Sequence, residues 1–527
     1  MPTIRLYNLH VGIDDDLPRA LAREAAKRLG AAPAAVTLVK RGVDARERTP
    51  HYNCTADALL PEGADLERIL AHLGGNAAVP APTPPMTLAP GDAPLRGPVV
   101  VVGSGPAGGF AAWTLALNGY RPLLIERGKP ALERLRRIGR FNAGVVELDP
   151  DDNALFGEGG AGSFSDGKLY TSHRDPLLPR ILEVFVECGA PSRILTDAAP
   201  HVGTDVLSRV VVRMREKLQA MGAQVRFTAR LTDLDGCNVT INGTERMQAG
   251  AVILAPGHSA RDTYEMLHRR GVHLEAKPFQ MGVRIEHAQE LIDKAQLGRF
   301  ARDKRLAPAS YDIACHPGGA PGLFSFCMCP GGITMAAVNE PGMLNTNGMS
   351  FSPQASGYAN SALVTTFEPQ DFGFGPLDGV AFQRRFEAIA FAAGGGGWAA
   401  PAQPVTHYLR GLESPRNMRG TYARGRVYQA LAPLLPEKLN KALRAGLPEF
   451  DKRIRGFVSD GGILHAIEAR ASSPVRITRD PHTRQSISTP GLYPCGEGAG
   501  YAGGIMSAAL DGIHSARAII AAHAQPA

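Results

Sequence analysis

The stretch Val99-Val-Val-Val-Gly103-Ser-Gly105-Pro-Ala-Gly108-Gly109 decides how the whole chain is read. Four valines make a buried strand, and glycines at Gly-x-Gly-x-x-Gly spacing carry it into a helix running through Leu117. Gly103 permits the tight turn, Gly105 lets a pyrophosphate approach backbone N–H groups, and Gly108 lets the helix pack on the strand. Pro106 and Ala107 open that helix, whose N-terminus adds partial positive charge for phosphates. A second strand, Pro122 to Ile125, ends at Glu126, placed to accept both hydroxyl hydrogen bonds of an adenosine ribose. An acid there disfavours a 2′-phosphate, and Arg127 beside it is a further candidate contact. The glycine motif alone is a weak signal. Strand, motif, helix and acid together predict dinucleotide binding.

The segment Gly97 to Tyr120 carries no charge, but its glycines and Pro106 argue for a buried strand and helix rather than a membrane span. At 527 residues the chain exceeds one ordinary core, so two or three domains are expected. Charged residues are 20% and hydrophobic ones 44%, which excludes a disordered protein. The net charge of +7 is too mild for a dedicated nucleic-acid binder and fits an anionic cofactor. Seven cysteines, an odd number spread along the chain, do not form a disulfide framework. With no secretory pattern between Met1 and Leu9, a cytoplasmic protein without a membrane partner is expected.

Residues 1–76 read as a small α/β, ferredoxin-like module. Ile4 and Leu6 mark a strand, Asp16 caps a helix carrying Leu17, Leu21, Ala25 and Leu29 on one face, and Gly30 ends it. Strands Val36 to Val39 and Tyr52 to Leu59 follow. Residues 77–98, with prolines at 80, 82, 84, 85, 90, 94 and 98, predict an extended linker rather than a packed element. Strand–helix alternation over 99–275 predicts a parallel sheet. Residues 276–455, rich in short strands and Gly/Pro turns, read as an inserted substrate domain. Residues 456–527 return to the first domain and end in an Ala-rich helix, Gly504 to His523.

Two further segments decide between NAD and FAD. Ala251-Val-Ile-Leu-Ala255-Pro-Gly257 is an apolar strand ending in small residues, where FAD-binding folds pass the cofactor. Gly491-Leu-Tyr-Pro-Cys-Gly496-Glu497-Gly-Ala-Gly-Tyr-Ala-Gly503-Gly504-Ile505 leads straight into the last helix. Flavoenzymes of the glutathione-reductase type close their site with such a strand, acid and helix, although the acid is more usually Asp than Glu497. A helix N-terminus there stabilises the negative charge of reduced flavin. A fourth glycine cluster, Phe156-Gly-Glu-Gly159-Gly160-Ala-Gly-Ser-Phe-Ser-Asp-Gly-Lys168, lies where disulfide reductases carry their cysteine pair. None is present, so that reaction is excluded. A resident NAD(P)H domain is also missing, so NADH or NADPH as reductant has to dock transiently.

The segments FGEGGAGSFSDGKL, CMCPGGI, NGMS, SSPVRI and CGEGAGYAGGIMSAALDG resemble a family of largely uncharacterised bacterial FAD-dependent dehydrogenases. Val43-Asp-Ala-Arg46 is similar to that family's extra N-terminal domain. The resemblance covers nearly the whole chain and implies a FAD-binding Rossmann-type domain, glutathione-reductase-like, with an inserted substrate domain. It implies no substrate. One departure is Gln354, four residues after Ser350, where the family often has arginine.

Catalytic candidates are Arg470, which with Arg476 is placed to meet an anionic substrate or the cofactor, His465 as acid or base, and Cys327 as a thiol. Each has a plainer reading. Glu468 ion-pairs with a neighbouring arginine, the histidine is a core or solvent-facing residue, and Cys327 and Cys329 pack on one strand face, too close for an unstrained disulfide. No further ligands stand at metal spacing. The run Lys40, Arg41, Arg46 and Arg48, broken by Asp44 and Glu47, reads as a solvated face. The expected function is a FAD-dependent oxidoreductase acting on a small molecule by hydride transfer through flavin N5. A flavin monooxygenase, an RNA-associated flavoprotein and a non-catalytic FAD scaffold are the alternatives.

Overall fold

A computed structural model describes residues 1–45, 49–415 and 418–526. The first 78 residues fold as strand Thr3–Gly12, helix Leu17–Leu29, strands Ala35–Asp44 and His51–Leu59, helix Leu66–Leu73 and a short strand Ala77–Ala78. The sheet runs second, third, first, fourth and is antiparallel throughout, which is the ferredoxin-like arrangement. The Asp16 side chain accepts from the Arg19 N–H, and Gly30 closes the helix in the left-handed region. The short fourth strand has too few residues to show a periodicity in sequence.

Two expectations for this region are corrected. Arg41 is not on a solvated face. Its backbone N–H donates to Thr196 O, its carbonyl accepts from Ala198 N–H, and its guanidinium pairs with Asp197 at 3.0 Å. Lys40 is exposed, and Arg46, Glu47 and Arg48 lie outside the described residues. The Pro-rich segment is extended but packed. Gly91 N–H donates to Ile520 O and Ala93 N–H to Ala522 O on the last helix, and Met86 is buried. Proline withholds its own N–H but leaves its neighbours free to bond.

Five parallel strands form the next sheet, in the order Leu492–Pro494, Ala251–Leu254, Val99–Val102, Leu123–Ile125, Gln224–Arg226. Helix Pro106–Leu117 is buried from Ala107 to Ala116. It packs against helix Ile505–Ala522 so closely that a Cβ on Gly512 would lie 2.0 Å from Ala107 O. That contact explains the long uncharged stretch. Among the described residues no helix is long and apolar enough to cross a membrane.

A second sheet of seven strands runs Ala314–Cys315, Leu323–Cys329, Tyr358–Phe367, Phe279–Ala288, Ile463–Glu468, Ala400–Pro404, Arg426–Tyr428. Its two central ten-residue strands, Phe279–Ala288 and Tyr358–Phe367, pair along their full length, unlike the short strands expected. Ile463–Glu468, assigned by sequence to the returning first domain, instead sits inside this sheet between Phe279–Ala288 and Ala400–Pro404. All six of its residues are buried, so it has the apolar texture of a parallel-sheet strand although it pairs antiparallel.

The two sheets meet at a buried ion cluster. Arg261 places Nη1 and Nη2 2.9 and 2.7 Å from Glu387, and Arg470 grips the same carboxylate at 2.8 and 2.7 Å. Glu340 balances the second charge, 3.0 Å from Arg261. Burial alone would raise the Glu387 carboxyl, but the two guanidiniums outweigh it and hold it down at about 2. Glu387→Ala leaves two buried arginines with only Glu340. It should lower the stability measured by urea unfolding by about 3–5 kcal/mol.

Candidate active site

Between the sheets runs a cavity of about 430 Å³, lined at one end by Gly103, Gly105 and Glu126 and at the other by Phe326, Cys327 and Glu468. Its floor is built by glycines. A Cβ on Gly103 would lie 2.3 Å from Ala255 O, and one on Gly108 would lie 1.8 Å from Gly103 O, so Gly108 packs inside while Gly105 faces the cavity. Gly160, at φ +60, approaches so near that its Cβ would be 2.9 Å from Gly105 Cα. The first and fourth glycine clusters therefore touch backbone to backbone. Pro106 and Ala107 line the cavity at the start of their helix. Gly159 stands just behind, where its N–H donates to Ser104 O.

Glu126 lies on the wall, but its carboxylate is already occupied. One oxygen accepts from Ser104 N–H and Ser104 Oγ–H at 2.9 and 2.7 Å, and the other from Gly128 and Gly157 N–H at 2.9 and 3.0 Å. Those four donors fill the lone pairs of a carboxylate. Arg127 pairs with Asp262 and Asp151 and lies over the Phe156 ring, so its charge is neutralised on the wall. Arg134 was missed by the sequence reading. Fully buried, it donates to the carbonyls of Asn153, Glu158 and Gly160 and fastens the fourth cluster. Nothing in an amphipathic helix marks which arginine turns inward.

Ala255 and Gly257 line the middle of the cavity with Gly496, Glu497, Gly503, Gly504 and Ile505. The Gly496 N–H donates to Asp511 of the last helix, at 2.7 Å. Helices of 12 and 18 residues thus start at one cavity, and both positive ends face it. The Glu497 carboxylate, unlike that of Glu126, accepts no protein hydrogen bond among the described residues. His258 Nδ1 is 3.9 Å away, and burial holds this imidazole neutral, pushing it down to about 4. Burial pushes the Glu497 carboxyl up to about 7, although Lys277 opposes the shift.

Of the catalytic candidates, Arg470 and Cys327 line the cavity and His465 does not. Arg470 is held by Glu387 and Asn339, so its charge is committed, and the partner of Glu468 is the distant Arg284, at 3.2 Å. His465 is corrected as an acid or base. It is fully buried beside Tyr422, and burial pushes it down to about 3. Glu468, three residues on, is the member of that strand that reaches the cavity. Cys327 and Cys329 do not share a face, because the strand bulges between Phe326 and Cys329 and Cys327 sits at φ +44. Cys327 is exposed to the cavity while Cys329 is buried against Arg284. Burial pushes the Cys327 thiol up to about 11, which disfavours a nucleophilic thiolate. Arg476 packs on Tyr501 away from the cavity, and Gln354 is not on its wall either. Among the described residues no cluster of metal ligands is present.

Asp166, Lys168 and Tyr170 also line the cavity, and sequence reasoning did not select them. Lys168 donates to Met328 O and stands 3.8 Å from Asp166. The signal was in hand, because the fourth glycine cluster ends in Ser165-Asp166-Gly167-Lys168.

A raised Glu497 pKa carries a definite pH dependence. The folded, flavin-free protein holds a proton that the unfolded chain releases at the ordinary carboxylate value. The associated stability is full below that value and is lost as pH rises through about 7. Glu497→Gln should therefore gain on the wild type by about 1–3 kcal/mol between pH 5 and pH 8, read from paired urea titrations.

Residues 278–471 match the family model described as FAD-dependent protein, C-terminal domain-like. A protein of Clostridium beijerinckii (strain ATCC 51743 / NCIMB 8052), described only as uncharacterised, is 39% identical over 538 residues, covering 98% of each chain. Among solved structures, an unusual amino acid oxidase of nikkomycin biosynthesis is 14% identical, over 80% of this chain and 93% of that one, with a TM-score of 0.34. A geranylgeranyl bacteriochlorophyll reductase-like protein of Thermoplasma acidophilum is 14% identical, over 80% and 77%, with a TM-score of 0.35. Sharing more than a third of its residues along nearly its full length, the chain belongs to the family of the Clostridium protein, a family of FAD-dependent flavoproteins.

Proposed function

We propose that this protein is an oxidoreductase of the glutathione-reductase type that moves a hydride through flavin N5, to or from a small organic substrate. The observation that supports it most is that one cavity joins two helix N-termini and a glycine floor to a wall bearing Lys168, Tyr170, Phe326 and Cys327. The turn at Gly103, Gly105 and Gly108, with Pro106 and Ala107, suits the pyrophosphate. Gly159 and Gly160 bound the same path, and Ala255 and Gly257 flank its middle. A ribose hydroxyl at Glu126 takes the lone pair now used by Ser104 Oγ, whose hydroxyl is free to rotate. The open carboxylate of Glu497 accepts from the ribityl chain, and Gly503, Gly504 and Ile505 meet the pyrimidine ring.

Bound flavin supplies hydride exchange at N5, so the protein's task is to seat a substrate C–H against it and handle one proton. The residues that bring the substrate there belong to the seven-strand sheet, whose strands Leu323–Cys329 and Ile463–Glu468 contribute Cys327 and Glu468 to the cavity. A substrate-binding unit that includes Ile463–Glu468 fits this arrangement better than one ending at residue 455. Arg470 positions the wall rather than touching the reacting atoms, because both its edges are engaged by Glu387 and Asn339.

The visible spectrum of the purified protein, followed anaerobically as NADH or NADPH is added, tests this. A flavin band is expected. Bleaching by a nicotinamide identifies the reductant, and persistence points to the protein's own substrate as reductant or to a non-catalytic FAD scaffold. A protein without a flavin band after incubation with FAD would overturn the function.

A further inference from the structure

Two motifs quoted from the sequence, Ser165-Asp166-Gly167-Lys168 and Asn347-Gly-Met-Ser350, have no role in the reading above, and the fold joins them. Ser350 Oγ–H donates to Asp166 Oδ1, and His201 Nε2 lies 2.9 Å from the same Ser350 oxygen. His201 Nε2 is also 3.5 Å from Asp166 Oδ1. A serine hydroxyl has one proton, so with that proton on Asp166 the histidine must be the donor to Ser350. Asp166 lines the cavity and is 4% exposed, Ser350 is 1% exposed, and the His201 side chain is 12% exposed but is not part of the cavity wall. The three groups therefore form a continuous chain leading from the cavity through the protein wall.

The surrounding backbone holds this chain rigidly. Lys168 and His201 face each other across an antiparallel bridge, Val202 N–H donates to Gly167 O, and Thr204 N–H donates to Ser350 O. Gly167 and Gly203 are required at the crossing, since a Cβ on Gly203 would lie 2.3 Å from Ser352 N. Asp205 fixes the next residue pair by accepting from Ser352 N–H and Oγ–H, both at 2.7 Å. Yet Asp166 Oδ2 is buried with no hydrogen-bond partner among the described residues, 3.8 Å from the Lys168 ammonium. Cys329 faces Asp166, and Cys327, Cys329 and Tyr170 face Lys168, with burial keeping both thiols uncharged. Arg284 faces the two thiols and is held in its pair with Glu468.

We propose that Asp166, Ser350 and His201 form a proton relay between the flavin cavity and solvent, with Asp166 as its cavity terminus. This rests on the hydride-transfer reading above. Oxidation of a hydroxyl or amine substrate sends a C–H bond's hydride to FAD and releases one proton, and reduction requires that proton back. In the inward direction, starting from the His201 imidazolium, the Nε2–H bond breaks as an O–H bond forms on Ser350. The original Ser350 O–H breaks as an O–H bond forms on Asp166. His201 is left neutral with its proton on Nδ1, and Asp166 is a carboxylic acid on the cavity wall; a turn of the imidazole ring presents the bare Nε2 to solvent, which recharges it, and the ring and the Ser350 hydroxyl then turn back. Ser350 ends as it began. The outward direction is the reverse.

Laser-flash photoreduction of the FAD-loaded protein, with an external one-electron donor that releases no proton when oxidised, delivers two electrons without a hydride, so the one proton consumed per two electrons comes from solvent. A pH-indicator dye in unbuffered solution times its uptake, while visible absorbance reports the flavin separately. Ser350→Ala and His201→Gln should each slow proton uptake by about 100-fold with the bleaching amplitude unchanged. Ser350→Thr, which keeps the hydroxyl, should restore it, and wild-type uptake should be slower in D2O. Wild-type proton uptake in a flavin-loaded Ser350→Ala or His201→Gln protein would overturn the relay and leave the oxidoreductase reading intact. Absence of flavin from the wild type would overturn that reading instead.

Discussion

Two arginines on one buried carboxylate set the geometry on which the rest depends. Arg261 comes from the end of the parallel-sheet layer and Arg470 from the strand leaving the seven-strand sheet, and Glu387 lies between them on helix Asp378–Ala393. None of the three side chains is more than 1% exposed. Charges buried this deeply are tolerable only when paired with good geometry, so the cluster admits very little sliding between the layers. The cavity occupies the gap that this seam holds open. Its width is set by an electrostatic constraint at the seam, and its floor is set by glycines that allow backbone to meet backbone.

The two acids chosen for their position after a strand illustrate how differently one residue type serves in such a site. Glu126 gathers four donors and ties the first glycine turn to the fourth cluster, so its charge is balanced by backbone N–H groups and a hydroxyl. Glu497 accepts none from the described protein and is pushed up toward neutrality by burial. The first behaves as part of the scaffold that shapes the cavity. The second is left with open lone pairs on the cavity wall.

Much of the fold was legible in the residues. Val99–Val102, the helix from Pro106, the strand to Ile125 and the last helix stand where their patterns placed them, and the helix N-cap at Asp16 and C-cap at Gly30 are real. The misreadings have one cause. His465, Cys327, Arg41 and the strand Ile463–Glu468 were each judged from neighbours in sequence, whereas their surroundings come from residues far along the chain. His465 is enclosed by Tyr422, Cys327 is turned out by a bulge whose partner strand is Tyr358–Phe367, and Arg41 docks on residues 196–198.

Sequence alone determined the elements whose information is local: strands, caps, the glycine spacing and the acid that follows it, because steric limits on φ and ψ and hydrophobic period act over a few residues. It also placed Asp166, Lys168 and Ser350 inside distinctive motifs without indicating their purpose. Only the tertiary structure decided that Ser350 and His201 meet Asp166, that Arg261 and Arg470 share Glu387, and which histidine or cysteine faces the cavity. Those outcomes depend on long-range packing and on the cost of burying unpaired polar groups, and neither is expressed in any short window of the chain.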